Sequence, residues 1–217
     1  MFDNPRAHRK EFSLYRCRGG SFFGIMVRCE DSMKLYISSD YVPKGETGIN
    51  TEKLVMKALK AFGMEEGSPG ETMPVIVRSE FGKPMFDRGG IHFSVSHSEN
   101  LWVCLMAREP VGVDIQKNKK SARWHKVSKR FFTQEETAFV EKKGQDAFWK
   151  IWVMKEAYIK YLGTTLATGI GNYSMVSSGE LCKEINGTTL QPIEIGQGIY
   201  GACAYAGREE ICIRKLT

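Results

Sequence analysis

Alternating apolar and polar residues divide the first part of the chain into strands and one helix. Apolar runs at 22–27, 34–37 and 74–78 predict three strands. Between the second and third of these runs, residues 51–62 carry apolar side chains at helical spacing, and Thr51 is a candidate N-cap. The pattern therefore predicts a helix that lies between strands in the chain order.

Three further strands are predicted in the middle of the chain, at 91–95, 101–107 and 111–116. The linkers between them are short enough for hairpins. In this scheme Ser96, His97 and Ser98 lie in the turn after the first of the three strands.

Two helices and two strands are predicted for the rest of the chain. Thr133 and Glu136 form a capping box that opens the first helix, which runs to about residue 143. The second helix covers about 146–162 and ends at Gly163. Its core stripe, by spacing, consists of Ile151, Met154, Tyr158 and Leu162. Strands return at 199–206 and 211–214.

The layout strand, short turn, strand occurs at 101–115 and again at 199–213. Each copy is preceded at a distance by a helix. The order predicts an α+β fold made of two pseudo-symmetric halves, with a cleft between residues 1–105 and residues 106–217. The match between the copies is loose, so chance similarity of two hairpins is an equal alternative.

Composition indicates a globular chain of one larger or two smaller domains. The 217 residues include 12 Phe, 8 Tyr and 4 Trp, which is enough for a real core. No apolar run approaches the roughly 20 residues that span a bilayer, and residues 1–6 do not resemble a secretory signal. We therefore expect a cytoplasmic protein that does not enter a membrane.

The charge favours anionic partners without choosing among them. Lys and Arg number 31 against 25 Asp and Glu, a net charge of +6. The densest basic segment, 117–130, has Trp124 as its only aromatic residue, which makes nucleic-acid binding a weak hypothesis and a solvated surface the simpler one. The 6 cysteines lack a Cys-x-x-Cys pair, so neither a disulfide framework nor a zinc site is indicated.

Two carboxylates and a lysine are candidates for chemistry. Glu156 and Lys160 are i,i+4 neighbours on the last predicted helix, and Asp114 lies near the end of a predicted strand. Alone, each has an ordinary interpretation as a surface ion pair or a solvated strand end. Together with His97 and Lys83 they have the composition of a site for a divalent metal and a phosphate. The sequence contains neither a P-loop nor a kinase glycine-rich loop.

Five motifs occur in the order found in the 4′-phosphopantetheinyl transferases, and the chain resembles the larger, surfactin-type branch of that family. The motifs are Gly82-Lys83-Pro84, Phe93-Ser94-Val95-Ser96-His97-Ser98, Val111-Gly112-Val113-Asp114-Ile115, Arg130-Phe131-Phe132 and Trp152-Val153-Met154-Lys155-Glu156-Ala157-Tyr158-Ile159-Lys160. The resemblance implies two pseudo-symmetric halves with the active site between them.

The resemblance also implies a function. Such enzymes transfer the 4′-phosphopantetheine group of coenzyme A to a serine of an apo carrier protein of the acyl, aryl or peptidyl type, and they release adenosine 3′,5′-bisphosphate. Magnesium, with manganese as an alternative, is the implied cofactor. The implied partners are coenzyme A and acidic carrier proteins, with no nucleic acid and no membrane, and the implied state is a monomer.

Residue roles follow from the resemblance by position. Asp114 and Glu156 would bind the metal, and Glu156 would accept the serine proton directly or through a water. Lys160 would stabilise the diphosphate as it splits. The coenzyme A contacts would come from Ser96 and His97 at a phosphate and from Lys83 and Pro84 beside the nucleotide.

The chain departs from the family pattern at Gln116. Many relatives carry a third acid at this position, and an amide oxygen binds a metal or its water without adding negative charge. We therefore expect weaker metal binding than in those relatives. The basic residues that grip coenzyme A in the first half have no clear match, and Lys44 and Lys53 are only candidates. Two rival functions stay open: a non-catalytic module that binds coenzyme A or a carrier, and a basic nucleic-acid-binding protein.

Overall fold

The structure is a computed structural model that describes residues 33–42, 51–63, 73–118, 123–165 and 170–216. The predicted strand at 22–27 and the candidate Lys44 lie outside these ranges. The described fold is α+β, as predicted. None of the described helices is long and apolar enough to cross a bilayer.

Four helices are present among the described residues. The capping box of α3 is formed as predicted, and Gly163 ends α4 in the left-handed conformation, with φ of 70°. The helix α2 was not predicted, although its apolar residues Trp124, Val127 and Phe131 recur at helical spacing and pack against the same core cluster as α4. The bounds are α1 Thr51–Phe62, α2 Trp124–Phe131, α3 Gln134–Lys143 and α4 Gln145–Leu162.

The described strands form two four-stranded sheets and two short ribbons. The first sheet has the order β12-β1-β5-β4, and the second has the order β6-β11-β10-β9. Strands β2 and β3 pair with each other, as do β7 and β8. The bounds are β1 Met33–Ser38, β2 Ile76–Arg78, β3 Pro84–Phe86, β4 His92–Ser98, β5 Leu101–Ala107, β6 Val111–Lys117, β7 Val176–Ser177, β8 Glu180–Leu181, β9 Glu184–Ile185, β10 Thr188–Pro192, β11 Ile199–Ala206 and β12 Ile211–Lys215.

One of the two predicted hairpins in the middle of the chain is wrong. Strands β4 and β5 do form an antiparallel hairpin, but β5 and β6 belong to different sheets. The same separation holds at the end of the chain, where β11 pairs with β6 and β12 pairs in parallel with β1. A short linker fixes only the distance between two strands, and the partner of each strand is chosen by long-range packing. The division at 105/106 and the duplication stay predictions.

Two smaller predictions also need correction. Ser96, His97 and Ser98 lie within β4 rather than in a turn, and the turn consists of Glu99 and Asn100, with Glu99 at a φ of 56°. Leu162, predicted in the core stripe, is 38% exposed because it is the last residue of α4.

Successive side chains of a strand point to opposite faces of its sheet, so the two faces of each sheet pack against different layers. On β5, Trp102, Cys104 and Met106 pack with α1, while Val103 and Leu105 pack with the second sheet. On β6, Val111, Val113 and Ile115 point toward the first sheet. The opposite face of the second sheet packs against α4 through residues such as Ala202 and Ala204 of β11. The layers are therefore α1, first sheet, second sheet and α4.

Candidate functional site

The edge strands of the two sheets are joined by a row of serine side chains on β4. Phe93 and Val95 pack in the core under α1, so the alternate serines point away from that core, toward β6. Each serine Oγ accepts a hydrogen bond from a main-chain N–H of β6: Ser94 from Val113 at 3.0 Å, Ser96 from Ile115 at 3.2 Å and Ser98 from Lys117 at 2.9 Å. We call these three residues the serine ladder. It satisfies peptide N–H groups that an edge strand would otherwise leave unpaired.

Asp114 lies on β6 between two rungs of the serine ladder and is 2% exposed. Because β6 alternates, its side chain points to the α4 side, away from Val113 and Ile115. Its Oδ1 accepts hydrogen bonds from Ser96 Oγ at 2.7 Å and from Lys160 Nζ at 2.8 Å. Its Oδ2 has one long contact, with Gln116 Nε2 at 3.5 Å. The two oxygens of this buried carboxylate are therefore in different environments.

Gly112 determines how closely α4 approaches β6. A Cβ atom at this position would lie 2.0 Å from the carbonyl oxygen of Ala157 and 2.5 Å from the amide nitrogen of Tyr161. Both atoms belong to the backbone of α4, which cannot move aside independently. A glycine two residues before Asp114 thus brings the helix that carries Glu156 and Lys160 against this strand.

Lys160 connects both edge strands to Asp114. Its Nζ donates to the carbonyl oxygens of Val95 at 3.2 Å and Val113 at 3.1 Å, and to Asp114 Oδ1 at 2.8 Å. An ammonium group has three donors. Each proton of Lys160 therefore has an acceptor, although the side chain is 30% exposed.

Glu156 lies one helical turn before Lys160 and is partly buried. Burial, followed by the negative charge of Asp114, raises the pKa of Glu156 to about 7, and the positive charge of Lys160 opposes this rise. No donor within the described ranges is hydrogen-bonded to its carboxylate. Glu156 therefore lacks a hydrogen-bond donor within the described ranges, whereas the neighbouring Asp114 accepts short hydrogen bonds from Ser96 and Lys160.

His97 lies at the exposed side of β4, next to Ser96, and its ring is 4.7 Å from that of Tyr41 between centroids. Partial burial, followed by the positive charge of Lys160, lowers the pKa of His97, while Asp114 opposes the shift. His97 is thus within the electrostatic reach of the Asp114–Lys160 pair.

Lys83 contacts the opposite end of β6 and the C-terminus of α4. Its Nζ donates to the carbonyl oxygen of Val111 at 3.2 Å and to that of Tyr161, in the last turn of the helix, at 3.3 Å. Burial lowers the pKa of Lys83 to about 8. Pro84 follows as the first residue of β3. In the structure Lys83 therefore caps carbonyl groups and is not hydrogen-bonded to Asp114.

A second ionic group, which joins α3 and α4, was not predicted. Lys155 and Glu136 form an ion pair of 2.9 Å with both side chains 0% exposed. Glu136 also accepts from the N–H groups of Thr133 and Met175, each at 2.7 Å. Lys155 also donates to the carbonyl oxygens of Ile170 and Tyr173, each at 2.6 Å. The capping box indicated Glu136, but nothing in the sequence indicated its partner.

The structure brings together Asp114, Ser96, Lys160 and Gln116 by direct contact, with Glu156 and His97 coupled to them by charge. Within the described ranges, no three His, Cys, Asp or Glu side chains group together as metal ligands. The candidate donor set is therefore two carboxylates and the Gln116 amide. It has the hard oxygen atoms that Mg²⁺ prefers, since this ion commonly takes one or two carboxylates and completes its shell with waters and phosphate.

An α+β fold with two carboxylates and a lysine at the junction of two sheets defines a class of site suited to phosphoryl-type transfer. Residues 110–189 match the family model described as the 4′-phosphopantetheinyl transferase superfamily. The matched part includes Asp114, Glu156 and Lys160. This part of the chain is similar to that superfamily, and the resemblance indicated by the motifs is confirmed.

Curated proteins give the same result. The chain is 33% identical over 100 residues to the 4′-phosphopantetheinyl transferase gsp of Aneurinibacillus migulanus, covering 44% of this chain and 41% of the relative. It is 34% identical over 101 residues to the 4′-phosphopantetheinyl transferase Sfp of Bacillus subtilis, covering 44% of each. It is also 34% identical over 97 residues to AcpT of Salmonella typhimurium, covering 42% of this chain and 50% of the relative. These names agree with the predicted surfactin-type branch, and the matched part spans half or less of each relative.

Proposed function

We propose that this protein transfers the 4′-phosphopantetheine group of coenzyme A to a serine of an apo carrier protein. The observation that carries the proposal is the junction of β4, β6 and α4, where Asp114, Lys160 and Glu156 converge inside the segment that matches the superfamily. A protein that only binds coenzyme A or a carrier has no need for both a base and a cation at one point.

The proposed cofactor is Mg²⁺, with Mn²⁺ as an alternative, held by Asp114 and Glu156 and by Gln116 directly or through a water. A partly buried carboxyl group that has no hydrogen-bond donor among the described residues and lies beside a second carboxylate fits a site that a cation would complete. When bound, the cation neutralises charge on the diphosphate of coenzyme A. Magnesium titration of the wild type against Gln116→Glu tests the contribution of Gln116: tighter binding in the variant supports it, and an unchanged dependence contradicts it.

Glu156 is the proposed base. A serine hydroxyl is a weak nucleophile, and a base is most effective when its pKa lies near the working pH. The proton of the carrier serine passes to Glu156, directly or through a water, as the serine oxygen bonds to the β-phosphorus of coenzyme A. The bond from that phosphorus to the bridging oxygen breaks, and adenosine 3′,5′-bisphosphate leaves with the bonding electrons.

Lys160 is proposed to stabilise the charge that develops on the leaving diphosphate oxygen. Its three donors have protein acceptors in the structure, so contact with a phosphate requires the exchange of at least one of them. His97 is proposed to contact a coenzyme A phosphate from the exposed side of β4. The resemblance implies the same contact for Ser96, but its buried hydroxyl group is hydrogen-bonded to Asp114 and to the N–H of Ile115 in the structure. Lys83 and Pro84 are proposed to border the nucleotide.

The proposed partners are coenzyme A and acidic carrier proteins, and the proposed state is a cytoplasmic monomer. The net charge of +6 supports anionic partners. Part of the basic segment forms α2, whose Lys126 and Lys129 are exposed. This helix packs near the site, because Phe131 contacts Trp152 edge to face at 6.3 Å between ring centroids, and Trp152 lies one turn before Glu156.

The test is a mass measurement of several apo carrier proteins after incubation with coenzyme A, Mg²⁺ and this protein. Addition of one phosphopantetheine group per carrier is expected. Asp114→Ala and Glu156→Ala should each reduce the rate by at least about 100-fold, whereas Glu141→Ala, which removes an exposed acid from α3, should leave it unchanged. Absence of a mass gain with every carrier would leave a non-catalytic binding module, and strongly salt-dependent DNA binding without transfer would favour the nucleic-acid function.

A further inference from the structure

The hydroxyl group of Ser96 makes two hydrogen bonds, and this separates it from the other two serines of the ladder. Its Oγ accepts from the N–H of Ile115, as the others accept from their own partners, and it also donates to Asp114 Oδ1 at 2.7 Å. Ser94 Oγ accepts from Val113 alone among the contacts that link it to β6. Both serines are buried, with exposures of 6% and 4%.

The hydrogen bonds that Asp114 accepts from Ser96 and Lys160 both fall on one of its two carboxylate oxygens. Oδ1 receives the Ser96 hydroxyl at 2.7 Å and the Lys160 ammonium at 2.8 Å. Among the residues that the structure describes, Oδ2 has only the 3.5 Å contact with the Gln116 amide. A side chain held at one oxygen by two short hydrogen bonds cannot rotate freely about its terminal torsion, so the identity of the free oxygen is fixed.

We propose that Ser96 is a positioning residue, which holds Asp114 Oδ1 and thereby presents Oδ2 as the single oxygen available to a divalent cation. The inference rests on the proposed function, because it takes Asp114 as a ligand. In this role the buried Ser96 hydroxyl group orients the proposed metal ligand Asp114. The hydroxyl group donates to Asp114 inside the protein and is not exposed on the surface as a contact for phosphate.

The geometry also predicts what the loss of the hydroxyl does. Without it, Ile115 loses its acceptor and Asp114 loses one of two donors, so the carboxylate gains rotational freedom. Removal of a group that orients a metal ligand typically weakens metal binding about 10–100-fold. Removal of Ser94 Oγ removes the acceptor for the N–H of Val113 and leaves both donors to Asp114, Ser96 and Lys160, in place.

Ser96→Ala and Ser94→Ala are therefore a matched pair for the experiment. Mn²⁺ alone serves as the probe, with its binding followed by electron paramagnetic resonance, and thermal unfolding is measured in parallel. We expect a larger loss of thermal stability in Ser96→Ala than in Ser94→Ala, because the first variant loses two hydrogen bonds and the second loses one, and Mn²⁺ binding is therefore measured well below both unfolding transitions. Mn²⁺ binding should weaken about 10-fold in Ser96→Ala and less than about 2-fold in Ser94→Ala.

Steady-state kinetics supply a second readout. In Ser96→Ala, higher Mg²⁺ concentrations should restore much of kcat, and KM for coenzyme A at saturating Mg²⁺ should stay within about 2-fold of the wild type. If Ser96→Ala does not fold, Ser96→Cys takes its place: the thiol is a weaker donor, so Mn²⁺ binding should weaken by a smaller factor, and unchanged binding would contradict the inference.

Equal Mn²⁺ affinity in wild type and Ser96→Ala would overturn the inference while leaving the proposed metal site intact. A raised KM for coenzyme A with unchanged Mn²⁺ affinity would overturn it as well and would assign Ser96 to the coenzyme. Absence of Mn²⁺ binding by the wild type would refute the proposed metal site, and the inference with it.

Discussion

At the scale of single residues, Asp114 and Glu156 show how two neighbouring carboxyl groups acquire different properties. Asp114 is buried but has a serine and a lysine as donors. Burial of Glu156, followed by the negative charge of the neighbouring Asp114, raises its pKa to about 7. Environments that separate two carboxyl groups in this way are typical of sites that divide binding and proton transfer between them.

The raised pKa of Glu156 predicts a pH-dependent stability for the metal-free protein. The ordinary pKa of 4.5 applies to the unfolded chain, and the folded value is about 7. Between these values the folded state keeps a proton that the unfolded state has lost, so the free energy of unfolding falls as the pH rises through this window. Glu156→Gln removes the penalty and should raise Tm at pH 8 by roughly 2–4 °C, or on the order of 1 kcal/mol.

Thermal unfolding in the presence of a chelator measures this effect. The gain in Tm should shrink as the pH falls from 8 toward 5, where Glu156 is protonated in the folded protein. Glu141→Gln, at an exposed position of α3, should change Tm at neither pH. A gain from Glu156→Gln that is the same at both pH values would contradict the assignment of the raised pKa.

At the scale of single residues, the sequence predicts site residues whose types are themselves chemically informative. The carboxylates and lysines of the site were predicted because few residue types suit a metal and a phosphate. The link from Ser96 to Asp114 was not predicted, since a serine in an apolar run carries no signal of its partner 18 residues away. The Lys155–Glu136 pair was missed for the same reason: charged side chains are presumed exposed unless a partner is known.

At the scale of secondary-structure elements, the packing of α4 on β6 depends on Gly112. An alanine would place its Cβ 2.0 Å from the carbonyl oxygen of Ala157, so the helix must shift away from the strand. Gly112→Ala should cost about 1–3 kcal/mol of stability. It should also reduce the proposed transfer activity far more than this loss alone explains, because Glu156 and Lys160 move with the helix while Asp114 stays on the strand.

Chemical denaturation and transfer assays below the unfolding transition separate the two effects. Gly196→Ala is the control, because Gly196 is exposed and its nearest neighbour would lie 3.8 Å from the added Cβ. It should change neither quantity. Full activity in Gly112→Ala would show that the close approach of α4 to β6 is not needed for the site.

The helix α4 contributes a lysine to a buried ion pair with α3 and another lysine to an exposed ion pair within α4, which allows a direct comparison. Lys155 and Glu136 are both 0% exposed, whereas Lys150 and Asp146 are 50% and 58% exposed. Lys155→Met leaves the Glu136 carboxylate buried without its cation and should cost about 3–5 kcal/mol. Lys150→Met breaks an i,i+4 surface pair and should cost about 0.3–0.5 kcal/mol.

Urea denaturation at pH 7 gives both values. The double variant Lys155→Met with Glu136→Gln should recover part of the loss, because the uncompensated charge is gone. Equal costs for Lys155→Met and Lys150→Met would mean that the buried pair contributes no more than a surface pair.

Helices were predicted more reliably than strand partners, and the reason is local periodicity. The spacing of apolar residues gave α1 as 51–62, the range that the structure has, and gave α4 to within a residue at its start. Seven of the twelve described strands were also predicted, whereas β3 and β7 to β10 were missed. The pairing of β5 with β6 was wrong. A strand can form hydrogen bonds along both of its edges, and its own residues do not determine which distant strand pairs with each edge.

At the scale of the whole molecule, the order of the chain and the order of the layers differ. The last described strand, β12, lies beside β1 in the first sheet, while β6 begins the second sheet. The α+β class followed from the order of the elements along the chain. The layer order α1, sheet, sheet, α4 did not, because it depends on which face of each strand is buried by which sheet.

With a net charge of +6, the proposed carrier protein could be attracted either by the charge of the whole molecule or by one particular surface. We expect the exposed lysines of α2 to matter most, since α2 packs near the site through Phe131 and Trp152. The double variant Lys126→Glu, Lys129→Glu should raise KM for an acidic carrier roughly 10-fold and weaken its salt dependence. It should leave KM for coenzyme A within about 2-fold, because charges at the rim of a protein interface act mainly on association with that partner.

The matched control reverses two exposed lysines in the last turn of α3, Lys142→Glu and Lys143→Glu. Both double variants lower the net charge by the same amount, from +6 to +2. Steady-state kinetics with the carrier and with coenzyme A, each at two ionic strengths, distinguish the alternatives. A larger effect of the α2 variant on the carrier alone locates recognition at α2. Equal effects of both variants on both substrates would mean that the carrier responds to net charge and that α2 has no special part in recognition.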